Sequence, residues 1–68
     1  MKTGWILQTE YNEFVDEDLD TTDVIEDAEV FSTRKKAREA VASYNMDDVV
    51  RKVEVDENGI AVKIIPGR

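Results

Sequence analysis

The chain has no cysteine and no histidine. Without cysteine, a small fold has no disulfide to reinforce it. The absence also fits a reducing compartment. Losing both residue types removes the usual zinc ligands. It also removes the commonest general base and the thiol nucleophile. Ser32 and Ser43 have no His to activate them. Gly4, Gly59 and Gly67 stand alone, so no glycine-rich loop can cradle a phosphate. Paired carboxylates exist, but beside a core too small for a glycosidase cleft. We therefore expect no enzyme, no catalytic residue and no cofactor. No apolar run approaches the ~18 residues of a membrane span. Met1-Lys2-Thr3-Gly4 leads into a strand pattern rather than the apolar stretch of a secretory signal. The expectation is a soluble, cytoplasmic protein. Residues 1–68 make one domain, short enough that only about 60% of the unfolded surface is buried and the stability margin is thin.

A further absence is local. Glu10 to Glu29 contains no Lys or Arg and ten of the sixteen acids. The remaining positions hold nine cations and six acids, so the whole net charge of −7 comes from this one block. A block this dense is an interaction segment or a solubilising one. Its sign opposes direct binding to nucleic acid or to an anionic membrane. It suits a basic protein surface, where clustered carboxylates act as a nucleic-acid mimic and steer association.

Trp5 to Tyr11 alternates. Trp5, Leu7, Thr9 and Tyr11 share one face, and Ile6, Gln8 and Glu10 the other, which predicts a strand with one mostly apolar side. Trp5 reads as core packing. The acidic block contains Phe14, Val15, Leu19, Val24 and Ile25, more apolar residues than a disordered tail carries. Phe14 and Val24 or Ile25 are expected to touch the core. A short extended piece starts at Val24-Ile25, and Ala28 to Phe31 reads as a second strand. Ser32 or Thr33 caps a helix running to about Tyr44, with Ala37, Ala40, Val41 and Tyr44 on one stripe and Asn45 as terminator. Val49 to Val55 and Ile60 to Ile65 are β-branched runs joined by Asp56-Glu57-Asn58-Gly59. A type I′ turn at Asn58-Gly59 sets Val55 against Val62, Val53 against Ile64 and Glu54 against Lys63. Pro66 and Gly67 end the last strand. The order is strand, acidic segment with a short strand, helix, hairpin. This is an α+β domain with an antiparallel sheet of three to four strands and one α-helix on one face.

Arg34, Lys35, Lys36 and Arg38 crowd the first turn of the helix, where the macrodipole disfavours cations. The acidic block would offset them, or a negatively charged partner would. The same cluster is a weak candidate for nucleic acid, disfavoured by the acids nearby. Asp16-Glu17-Asp18-Leu19-Asp20 has the D-x-D-x-D spacing of a calcium loop, with Asp27 at the twelfth position. Thr21 replaces the turn glycine, Asp23 sits where an apolar residue belongs, and the last position lacks a bidentate Glu. A calcium-dependent module remains an alternative.

In layout the chain resembles small phage-encoded proteins that disable host machinery. The stretches that carry the likeness are MKTGWILQTEY, the acidic middle, FSTRKKAREAVASYN as the single helix, and the closing hairpin VRKVEVDENGIAVKIIPG. The plan is similar to that of T7-type inhibitors of bacterial RNA polymerase and of small anti-CRISPR proteins. The resemblance implies a stoichiometric inhibitor in the bacterial cytoplasm, its carboxylates filling a Lys/Arg-lined channel. The residues expected to contact such a partner are Glu13, Asp16, Glu17, Asp18, Asp20, Asp23, Glu26 and Asp27, with Tyr11 and Phe14 as apolar anchors. A monomer or a homodimer is compatible with this reading. The alternative from a different class is a structural or assembly protein that dimerises through a sheet edge.

Overall fold

The longest strand after the helix, Val49–Val55, does not pair first with its hairpin partner but runs the full length of the first strand. A computed structural model describes residues 2–43 and 49–66. In chain order the elements are β1 (Lys2–Gln8), β2 (Phe14–Val15), β3 (Thr21–Thr22), a 3-10 turn (Ile25–Asp27), α1 (Arg34–Ser43), β4 (Val49–Val55) and β5 (Ala61–Ile64). They form an antiparallel sheet in the order β3-β2-β1-β4-β5. β1 lies at its centre, with Lys2 opposite Val55 and Gln8 opposite Val49.

Both faces of the sheet are covered, which explains why β1 is apolar on both sides. On one face Ile6, Phe14, Val53, Val55 and Ala61 pack with Ala28, Ile25 and Val30. On the other, Leu7 and Val15 pack with Ala37, Ala40 and Val41 of α1, joined by Trp5, Phe31 and Val50. Ile6, Leu7, Val15 and Val53 are the largest fully buried side chains. Each contributes about 1.5–3 kcal/mol of burial. The helix thus covers one face as the stripe predicts, and the tail of the acidic block covers the other. Gly4 makes that second layer possible. A Cβ at this position would lie 2.5 Å from Val30 Cγ1 and 3.1 Å from Val55 Cγ2.

Several boundaries differ from the sequence reading. The first strand ends at Gln8 rather than Tyr11, because Thr9 Oγ1 accepts the N–H groups of Tyr11 and Glu13 and reverses the chain. Val24 is extended, but Ile25–Asp27 winds into a 3-10 turn closed by Asp27 N–H on Val24 O. The expected strand at Ala28 to Phe31 is reduced to one antiparallel bridge. Trp5 and Phe31 exchange backbone bonds of 3.0 and 2.7 Å, and Glu29 N–H donates to Val15 O. The short strands of the acidic block lie earlier, at Phe14–Val15 and Thr21–Thr22. Thr33 is the cap of α1, its Oγ1 accepting Lys36 N–H at 3.1 Å. The helix end at Tyr44 and Asn45, and the part of Gly67 in ending the last strand, lie outside the described residues.

The closing hairpin has the expected pairs Val53–Ile64 and Glu54–Lys63, but Val55 faces Ala61 rather than Val62. A bulge at the turn causes the shift. Within this turn only Gly59 has positive φ, +79°. Asp56 Oδ1 accepts the N–H groups of Asn58 and Ile60, which favours a type I turn with a left-handed fourth residue over type I′.

This five-residue loop occurs three times. Thr9 to Glu13, Asp16 to Asp20 and Asp56 to Ile60 share the same pattern. In each, the first side chain accepts from the third and fifth N–H groups, the fourth N–H donates to the first carbonyl, and the fifth carbonyl accepts from the first N–H. The fourth residue is left-handed each time: Asn12 at φ 63°, Leu19 at 66°, Gly59 at 79°. Glycine and asparagine suit that conformation, whereas at Leu19 it costs about 1–2 kcal/mol. The loop chemistry therefore decides where the acidic block turns.

Candidate acidic interface

The second of these loops builds the acidic site. Asp16 anchors it by accepting Asp18 N–H at 2.9 Å and Asp20 N–H at 3.0 Å. The tight reversal leaves the side chains of Glu17, Asp18 and Asp20 exposed at the tip of the β2–β3 hairpin. The 3-10 turn then brings Asp27 back beside them. Asp16, Glu17, Asp18, Asp20 and Asp27, with Thr21 and Thr22, line an open concavity of about 550 Å³. It lies at the β3 end of the strand order.

Glu29 completes the cluster. Its backbone N–H is fixed on Val15 O, one residue from Asp16. Burial pushes its carboxyl above the usual Glu value, and the charges of Glu17 and Asp16 push it further. The acids therefore repel across the site, and among the described residues no cation offsets them. The one ion pair among those residues, Lys63 Nζ to Glu54 Oε1 at 3.8 Å, lies across β4 and β5. The expected self-neutralisation of Arg34, Lys35, Lys36 and Arg38 by the acidic block is not what the fold does: none of the four forms an ion pair with a described acid. The reason is topological. The tail of the block packs on the Ile6 face of the sheet, its 3-10 turn against β5, while α1 packs on the opposite face over β1 and β4.

Five of the ten expected contact residues, Asp16, Glu17, Asp18, Asp20 and Asp27, thus come together. Glu13, Asp23 and Glu26 lie outside the concavity. Phe14 meets the expectation that it touches the core, and as a buried residue it is not an exposed anchor. It is one of the buried residues around Ile6, because the register Gln8–Phe14 turns it inward. Tyr11 is 76% exposed, but it sits in the β1–β2 loop, at the opposite end of β2 from the carboxylates. Glu29 and the two threonines were not legible as site residues. The signal for Glu29 was its place at the end of the acidic run, but its proximity to Asp16 depends on a long-range backbone bond.

Within the calcium-like spacing, Asp16 closes the turn. One oxygen of Asp16 is committed to two backbone N–H groups, and among the described residues no three acids converge as metal ligands. Among those residues no helix is long and apolar enough to cross a membrane. Compared with known protein families, with curated proteins and with solved structures, the chain matches none.

Proposed function

We propose that this chain is a non-catalytic inhibitor that binds a basic, nucleic-acid-handling host protein through its acidic surface. It would act in the bacterial cytoplasm as a phage anti-defence or host-takeover protein, of the anti-CRISPR or RNA polymerase inhibitor type. The observation that carries the reading is the concavity of Asp16, Glu17, Asp18, Asp20 and Asp27, held on a rigid loop without a described counter-cation. Rigid placement matters, because pre-ordered charges lose less entropy on binding.

The edge-pairing alternative is less well supported. β3 has two residues, and β5 carries Lys63, a bulge and a following Pro66, all devices that blunt a sheet edge. Sedimentation separates the two readings, since an edge dimer is indifferent to salt. The direct test is competition. The chain is titrated into bacterial RNA polymerase, and into a CRISPR effector complex, each preloaded with labelled DNA. Displacement at about 0.05 M salt that weakens steeply by about 0.5 M supports the proposal. DNA retained on both at a large excess of the chain would count against it.

A further inference from the structure

A second site lies at the other end of the strand order. Trp5, Arg34, Arg51, Lys52, Ile65 and Pro66 line much of a groove of about 440 Å³ beside β4. That volume falls within the range of small-molecule sites. Its residues come from four separate parts of the chain, so it is a feature of the fold rather than of one helix end. It gathers two cationic side chains, Arg34 and Lys52, in a protein of net charge −7. Neither is ion-paired with a described acid.

The cations are positioned rather than merely present. Arg51 stands opposite Ile6 in the β1–β4 ladder, so its side chain lies on the other face of the sheet, where its Nε–H donates to Gln8 Oε1 at 2.9 Å, and it supplies no cation to this groove. Lys52 stands directly across from Trp5 in the β1–β4 ladder. Arg34 and Lys52 lie 5.9 and 5.8 Å from the indole centroid. Those distances are at the outer limit of a cation–π contact, so the cations are gathered there without being tightly held. The remaining wall is apolar and aromatic: Trp5, Val50, Ile64, Ile65 and Pro66.

We propose that this groove binds a small aromatic anion of the nucleoside monophosphate class. The base lies against Trp5 and the Ile65–Pro66 wall, and the phosphate turns Arg34 and Lys52 towards itself. Charge-assisted contacts from a guanidinium suit a phosphate, and the flat apolar wall suits a base. A single nucleotide is favoured over a nucleic-acid strand because a longer polyanion would meet the field of the acidic block, whose 3-10 turn packs against β5. This site is separate from the acidic concavity and does not depend on the function proposed for it.

Trp5 is the only tryptophan, so its indole N–H is a single, assignable NMR signal that reports directly on the groove. The full chain is titrated with AMP, with adenosine, with inorganic phosphate and with a six-nucleotide oligothymidylate. The expected result is a saturable indole shift with AMP at a Kd on the order of 0.1–1 mM. Adenosine and phosphate should each bind at least about tenfold more weakly. Arg34→Glu and Lys52→Glu, both at exposed positions, should each weaken AMP by about tenfold while the rest of the spectrum stays that of the folded chain. Four results overturn the proposal: no saturable shift at roughly 10 mM AMP, phosphate alone binding as well as AMP, unchanged affinity in both charge-reversed variants, or tighter binding of the oligonucleotide, which would make the groove a nucleic-acid interface instead.

Discussion

Replacing Gly4 by alanine should destabilise the protein, and the added loss should be much smaller once the Val30 side chain is removed. The new methyl would sit 2.5 Å from Val30 Cγ1, about 1 Å inside normal carbon contact. Val55 Cγ2 at 3.1 Å and Phe31 O at 3.3 Å leave it no easy escape. Overpacking of this kind costs about 1–3 kcal/mol. Against it stands a gain of about 0.4–1 kcal/mol from the stiffer unfolded chain. The net loss is about 1–2 kcal/mol, which for a domain of this size lowers Tm by roughly 5–15 °C. Val30→Ala alone loses part of a half-buried side chain. In the double variant the closest clash partner is gone and only the tight contacts with Val55 Cγ2 and Phe31 O remain, so adding Gly4→Ala to Val30→Ala should cost clearly less than adding it to the parent. The assay is thermal or urea unfolding of the four proteins as a double-mutant cycle. A Gly4→Ala variant as stable as the parent, or two losses that simply add, would refute the claim that residues 28–31 press against the sheet. That layer also holds Glu29 beside Asp16, so the cycle tests the scaffold of the acidic site.

Other outcomes follow from the loops and the charges. Gly59→Ala should lose about 1 kcal/mol in urea unfolding, because φ is +79°. Asp16→Ala should lose a similar amount by freeing the N–H groups of Asp18 and Asp20, whereas Asp18→Asn should leave stability within about 0.5 kcal/mol. Glu29 gives a pH dependence of definite sign. Its carboxyl titrates above the usual value of 4.5 in the native state, so it holds its proton more tightly folded than unfolded. Its penalty is present at neutral pH, falls as pH drops through the raised folded value, and is gone below the unfolded one. The Glu29 contribution should therefore raise stability on mild acidification, and Glu29→Gln should remove that part of the pH profile. A variant whose profile from pH 7 to 5 matches the parent's would contradict this.

How much of this was legible in the sequence depends on the range of the forces involved. The helix stripe Ala37, Ala40 and Val41 and the pairs Val53–Ile64 and Glu54–Lys63 follow from local periodicity and were readable. The turn between those strands was placed correctly but given the wrong type. Asn-Gly pointed to a two-residue loop, and the Asp56 carboxylate, bonding Asn58 and Ile60, selected the bulged one. β2 and β3 were missed because two-residue strands have no period to detect. Their positions are set by Thr9 and Asp16, whose side chains cap the reversals. The two-sided burial of β1 was written in Ile6 as plainly as in Leu7, but the cover for Ile6 comes from residues 25–30 and requires the bare backbone of Gly4. For the acidic site, the density of charge was obvious. Which carboxylates converge was not, because Asp27 and Glu29 return to Asp16 through the 3-10 turn and a bond to Val15.

Charge reversal at the concavity tests the central claim most directly. Glu17, Asp18 and Asp27 are exposed, and none of their side chains is used in a hydrogen bond among the described residues. Changing all three to Lys should therefore leave the fold intact by circular dichroism. The account predicts that affinity for the host protein from which the parent displaces DNA falls by more than about tenfold at low salt, with a shallower salt dependence. Equal affinity and an equal salt slope in the folded triple variant would contradict it.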